Sequence, residues 1–214
     1  MKFSFVRAAA ALTAAASVAA LAGCGGTTQY PVQGVITNAA GNIVNLANSG
    51  LVLANGSDQV TVPVGASSFV FPKQIGYGTD YNITVLKQPA HMTCGVTGGS
   101  GSAGHTISIQ AAVTCVQNEY TLSGQFTGIT VAADGTTART VTLLNGSTSA
   151  VVLSSANATN GAGDFTFSAT VADGTAYGVT VVPPTNGLSC TIANGTGVMH
   201  EAPVSNLLVT CVPQ

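Results

Sequence analysis

Hydrophobic and polar residues alternate with period two in short runs along most of the chain. Tyr81-Asn82-Ile83-Thr84-Val85 and Tyr177-Gly178-Val179-Thr180-Val181 place apolar side chains on one face and small polar ones on the other, the pattern of half-buried strands. Phe69 and Phe71 share a face by the same parity, as do Ala111, Val113 and Cys115, and Leu207, Val209 and Cys211. The second cysteine of each of those last runs should therefore point inward. Asn55-Gly56 and Asn145-Gly146 fall between apolar runs, where both residues tolerate the positive φ of a tight hairpin turn. Beyond the first two dozen residues no amphipathic helical periodicity of useful length occurs. About seven short strands per stretch of roughly 90 residues, broken by Gly, Asn and Asp, predict an all-β chain of immunoglobulin-like sandwiches.

The pattern occurs twice. Cys94 and Cys115 are 21 residues apart, Cys190 and Cys211 are 21 apart, and each lies 96 residues from its counterpart. At that offset residues 69–115 and 165–211 are identical at 13 of 47 positions, the mark of an internal repeat. Upstream the offset falls to 90, aligning Tyr30 with Tyr120, Gly34 with Gly124 and Asn55-Gly56 with Asn145-Gly146. The six extra residues belong between Gly146 and Phe165, a longer loop in the second copy. The expected organisation is a leader over 1–23, a short tether over 24–29, a first sandwich over 30–116, a linker over 117–119 and a second sandwich over 120–214.

The leader has its own chemistry. Lys2 and Arg7 precede an uncharged run from Ala8 to Ala20 of 13 residues, too short for the roughly 20 that a spanning helix needs, and suited to a cleaved signal core. Leu21-Ala22-Gly23-Cys24 follows at once and resembles the lipobox of bacterial lipoproteins. The resemblance implies cleavage before Cys24, diacylglyceryl on its thiol and acylation of the new amine, the multiple chains that stable anchoring requires. Gly25, and not Asp, stands second in the mature chain, which by the family's sorting rule implies the outer membrane, with the displayed face left open.

The repeated motifs, Tyr-x-(Val/Leu)-x-Gly, Leu-x-Asn-Gly, Phe-x-Phe, Tyr-x-(Ile/Val)-Thr-Val, Gly-x-Gly and Val-Thr-Cys, resemble modules of bacterial envelope lipoproteins and secreted multi-domain proteins. Their opening section also resembles prealbumin-like sandwiches. The resemblance covers residues 30–116 and 120–212 and brings no catalytic residues with it; the first copy departs from it at Gly98, where the second has Asn194. An oxidising envelope and the symmetry of the copies favour disulfides Cys94–Cys115 and Cys190–Cys211, leaving Cys24 for lipid. Thiolate metal sites usually space ligands two to four residues apart, and these cysteines do not. Loops of this size add roughly 3 kcal/mol each in the chain-entropy model.

Composition narrows the function. Only 6% of 214 residues are charged, five Lys+Arg against seven Asp+Glu, for a formal net charge of −2. Five basic residues cannot build a phosphate-neutralising surface, which excludes nucleic acid as partner. After cleavage only Lys73, Lys87 and Arg139 are left, so lipid on Cys24, and not charge, must hold the protein to a bilayer. At 46% hydrophobic the chain has the material for a core.

Candidate chemistry is sparse. Gly99 to Gly104 matches G-x-G-x-x-G, but no helix-forming run follows, so it reads as a loop. Asp80, His91 and His105 could in principle assemble a hydrolase, yet none repeats, and they read as solvated loop residues. Asp134-Gly135 and Asp173-Gly174 read as turns. Met92 beside His91 and Met199 beside His200 lack a third soft ligand for copper. Of five tyrosines, Tyr77 is the one without a counterpart and the best candidate for an exposed, ligand-contacting aromatic, with Phe126 a second possible platform. No cofactor is expected. The reading is a non-catalytic outer-membrane lipoprotein with a structural or protein-interaction role. The alternative is a glycan- or polymer-binding surface module, and an envelope hydrolase comes third.

Overall fold

The structure, a computed structural model, describes residues 28–105, 108–147 and 149–214. Residues 1–23 and Cys24, with the expected cleavage and lipidation, lie outside the described residues.

The described chain is all β apart from one 3-10 turn at Ser155–Asn157. The first half contributes β1 (Gln29–Tyr30), β2 (Val32–Thr37), β3 (Val52–Asn55), β4 (Asp58–Thr61), β5 (Ser68–Val70), β6 (Ile75–Gly76), β7 (Asp80–Lys87), β8 (Met92–Thr97), β9 (Ser100–Ser102) and β10 (Ile109–Gln117). One sheet has the order β5-β2-β10-β8 and the facing one β4-β3-β7-β9, with β1 and β6 as a small pair. The second half repeats this strand for strand, with β11 (Glu119–Tyr120), β12 (Leu122–Thr127), β13 (Thr140–Asn145), β14 (Ser149–Ser154), β15 (Gly163–Thr166), β16 (Val171–Ala172), β17 (Ala176–Val181), β18 (Leu188–Ala193), β19 (Thr196–Val198) and β20 (Val204–Pro213). Its sheets run β15-β12-β20-β18 and β14-β13-β17-β19, with β11 and β16 paired. In each half the second and last strands run parallel, β2 with β10 and β12 with β20, while the other ladders are antiparallel. The result is an immunoglobulin-like β-sandwich arrangement. The length difference between the copies falls in β14, the 3-10 turn and the loop before β15.

Each half has its own apolar cluster. Val32, Ile36, Leu53, Phe69, Phe71, Ile83 and Val113 are buried together in the first, and Leu122, Phe126, Leu143, Phe165, Phe167, Val179 and Val209 in the second. The Phe-x-Phe pair meets edge to face in both, with ring centroids 6.0 and 6.1 Å apart, an arrangement favoured by ring quadrupoles.

The repeated motifs have local causes. Gly34 and Gly124 lie where β2 and β12 cross close to their parallel partners. A Cβ there would stand 2.1 Å from the Ala111 carbonyl oxygen and 2.2 Å from that of Leu207, so only glycine fits. Gly101 and Gly197 lie under the rings of Tyr81 and Tyr177 in the same way. The Asn of each Asn-Gly turn accepts a backbone hydrogen bond across the sheet, Asn55 from Asn82 N–H at 2.9 Å and Asn145 from Gly178 N–H at 3.0 Å.

Cys94 and Cys115 stand directly opposite on β8 and β10, and Cys190 and Cys211 on β18 and β20. Both pairs are disulfides, with Cα atoms 4.0 and 4.1 Å apart. Each bridges adjacent strands of one sheet, whereas the antibody-type bond crosses between sheets.

Candidate functional site

A set of polar contacts lies where the halves meet. Of the stretch 117–119 expected as a linker, Gln117 closes β10 and Glu119 opens β11, leaving Asn118 alone between strands. Asn118 N–H donates to the His91 carbonyl, and Asp173 N–H donates to the Asn118 carbonyl, each at 2.9 Å. Gln117 Nε2 donates to the Asp173 carbonyl at 2.9 Å, and Thr93 Oγ1 donates to Asn118 Oδ1 at 2.7 Å. One residue thus has its backbone tied to both halves.

Asp173 occupies the centre. It is 2% exposed, and a buried carboxylate must be paired and hydrogen-bonded to be tolerated. Its Oδ1 accepts from Glu201 N–H at 2.9 Å, and its Oδ2 lies 3.1 Å from His91 Nδ1 of the first half. Both atoms are buried, and neither has a hydrogen-bond partner elsewhere. The Glu201 amide holds the Asp173 carboxyl below the ordinary carboxylate range; burial works against this, and His91 reinforces it. His91 and Glu201 both have left-handed backbone, φ 61° and 52°, conformations that non-glycine residues keep only where surroundings enforce them. The His91 ring lies over Gly174, where a Cβ would come within 2.9 Å of it. A cleft of about 520 Å³ opens beside the pair, lined among others by Ser49, Lys87, Thr93 and Glu201.

His91 and Asp173 are therefore not the solvated loop and simple turn that sequence suggests. They meet each other across the halves because Asn118 leaves no slack between β10 and β11. Asp80 and His105, the other members of the imagined hydrolase, are exposed in the first half, Asp80 opposite Ser102 in the β7–β9 ladder. The hydroxyl nearest in sequence to His91, that of Thr93, is spent on Asn118. Asp134 does behave as a turn residue: hydrogen bonds from the Thr137 hydroxyl and amide, and from the Thr136 amide, lower its pKa to about 2. Met199 is fully buried in the second core. Among the described residues no group of three His, Cys, Asp or Glu side chains converges as a metal set.

Tyr77 is 75% exposed, its ring lying over Gly104. Phe126 is only 4% exposed and packs in the second core, which corrects its reading as a platform: its parity along β12 points it inward. Sequence reasoning missed Asp173 as a site residue. A signal existed, since Gly78 and Gly174 are retained between copies while the residue before them changes from Tyr77 to Asp173.

No protein-family model matches the chain, and no curated protein matches it. Among solved structures, the Bacillus anthracis TIE protein is similar with 14% identity and a TM-score of 0.51 over 86% of this chain; the chain spans about a third of that protein, 34% of its length. The C-terminal fragment of the pilus adhesin SpaC from Lactobacillus rhamnosus GG is similar with 12% identity and a TM-score of 0.42, covering 87% of this chain and 98% of that one. The major pilin T-13 of Streptococcus pyogenes gives 11% identity and a TM-score of 0.34, covering 88% and 98%. The first of these likenesses is one of fold.

Proposed function

We propose that the chain is a non-catalytic lipoprotein of the bacterial outer membrane, anchored through lipid on Cys24, whose two disulfide-stapled sandwiches, 30–116 and 120–214, form a short stiff spacer with an interaction role. The observation that carries the reading is the joint. Its polar groups are engaged with one another and serve to fix one half on the other: His91 with the Asp173 carboxylate, Gln117 with the Asp173 carbonyl, and the Asn118 backbone with both His91 and Asp173. A spacer needs that fixity, and a flexible tether would leave such groups in water. The lipobox-like Leu21-Ala22-Gly23-Cys24 supports the anchor, and the disulfides suit an oxidising compartment outside the cytoplasm.

Labelling cells with radioactive palmitate tests the reading, with wild type set against Cys24→Ala and envelope fractions separated. Label that depends on Cys24 and travels with the outer membrane is expected; an unlabelled protein in the soluble fraction overturns the anchor. One observation favours a second reading, a glycan- or polymer-binding surface: Tyr77 offers an open ring face of the kind that stacks on sugars. Co-sedimentation with purified peptidoglycan that is lost in Tyr77→Ala would support it.

A further inference from the structure

The corner that docks in the second half has a counterpart in the first that faces the lipid-bearing side of the chain. In the second half the pair β11–β16 and the Asp173 that follows it lie at the joint, one residue after the preceding sandwich ends. The equivalent pair in the first half is β1–β6, where Gln29 stands opposite Gly76, and Tyr77 follows at once in the place of Asp173. Tyr77 and His91, which belongs to the joint, lie beyond opposite ends of β7, whose eight residues extend over about 23 Å. The Tyr77 corner is therefore at the end of the first sandwich away from the second, and it sits beside the strand by which the chain enters. Cys24 is five residues before Gln29, and five residues span at most about 18 Å. An acyl group on Cys24 thus brings this end of the protein to the bilayer.

We propose that the Tyr77 corner is a membrane-docking surface: with Cys24 lipidated, the Tyr77 ring seats at headgroup level in the bilayer that holds the acyl chains, and the first sandwich stands on its β1–β6 end. The side chains there suit that occupant. Tyr77 is 75% exposed and combines an apolar ring with a polar tip, the type of side chain concentrated where membrane meets water. Residues 74–79, Gln-Ile-Gly-Tyr-Gly-Thr, carry no charge, so they can enter the interface without desolvating an ion, whereas the carboxylate at the same place in the second half would be costly there. The ring is presented on fixed backbone: Gly78 N–H donates to the Ala103 carbonyl at 2.8 Å and Thr79 N–H to that of Gly76 at 3.1 Å. One corner of the repeat thus rests on protein and its counterpart on lipid. The inference rests on the anchor at Cys24 proposed above and adds to it a contact between the folded protein and the lipid surface.

The chain contains no Trp, so Tyr77→Trp places a single fluorophore at the corner, and Val212→Trp, at an exposed position of β20, serves as the control in the second half. Each full chain is expressed in bacterial cells, purified from membranes and reconstituted into vesicles of phosphatidylethanolamine and phosphatidylglycerol, with and without lipid dibrominated close to the headgroup. Emission from Tyr77→Trp is expected to be blue-shifted and quenched by the brominated lipid, and emission from Val212→Trp to be unchanged. A chain that carries acyl mass and floats with the vesicles, yet whose Trp at position 77 is unquenched and emits like the control, overturns the proposal and leaves the anchor standing. A chain without acyl mass that stays behind when the vesicles float overturns the anchor and this proposal with it. An unquenched Trp at position 77 whose emission shifts only when purified peptidoglycan is added overturns the proposal in favour of a sugar at the same ring.

Discussion

Positions 77 and 173 are the same place in the two halves, and they have opposite fates. Tyr77 is 75% exposed, its ring over Gly104. Asp173 is 2% exposed, held by Glu201 and facing His91. The strand orders around them are the same, so the contrast does not come from the sandwich. It comes from neighbours: the second corner has a preceding sandwich to rest on, and among the described residues the first has none. Duplication copied the fold, and divergence at one corner made a joint.

The largest expected effect tests the sameness of the halves. Replacing both cysteines of either pair by Ala, Cys94 with Cys115 or Cys190 with Cys211, should lower stability by about 3 kcal/mol, similarly in the two halves because each pair closes a loop of 21 residues. Urea unfolding without reductant measures this, and a loss in one half only would break the equivalence. Gly34→Ala and Gly124→Ala come next. Each drives a methyl into a carbonyl of the neighbouring strand and should cost about 1–3 kcal/mol, again alike in both halves by the same measurement.

The corners should then part company. Asp173→Asn keeps the shape and removes the charge facing His91; it should separate the thermal transitions of the two halves in calorimetry, whereas Tyr77→Asn should change stability by no more than about 0.5 kcal/mol. Acid should act like the first substitution. The folded-state pKa of Asp173 is depressed, so its contribution is fully present above the ordinary carboxylate value of about 3.9 and is lost as pH falls through the lower, folded value. Coupling between the halves should therefore survive from neutrality to about pH 4 and fail in stronger acid, which calorimetry across that range would follow.

Much of the sandwich was legible because its signals are local. Period-two alternation marks β7 and β17, Asn-Gly marks the hairpins, and equal cysteine spacing marks both the repeat and the staples. The glycines of Tyr-x-(Val/Leu)-x-Gly could be seen to repeat, but not why, since the carbonyls of Ala111 and Leu207 that exclude a side chain come from strands more than 75 residues away. The joint was illegible for the same reason. Asp173-Gly174 has the local grammar of a turn, and only the single-residue passage at Asn118 brings it onto His91, 82 positions earlier. Parity in β12 could have kept Phe126 in the core, since Leu122 and Gly124 share its face.

The central claim is that Asn118 and the His91–Asp173 contact fix one half on the other. Residual dipolar couplings measured on the ¹⁵N-labelled chain at neutral pH test it most directly. The account predicts that one alignment tensor fits both halves in wild type and that two are needed in Asp173→Asn. Separate tensors for the two halves in the wild-type protein would contradict it.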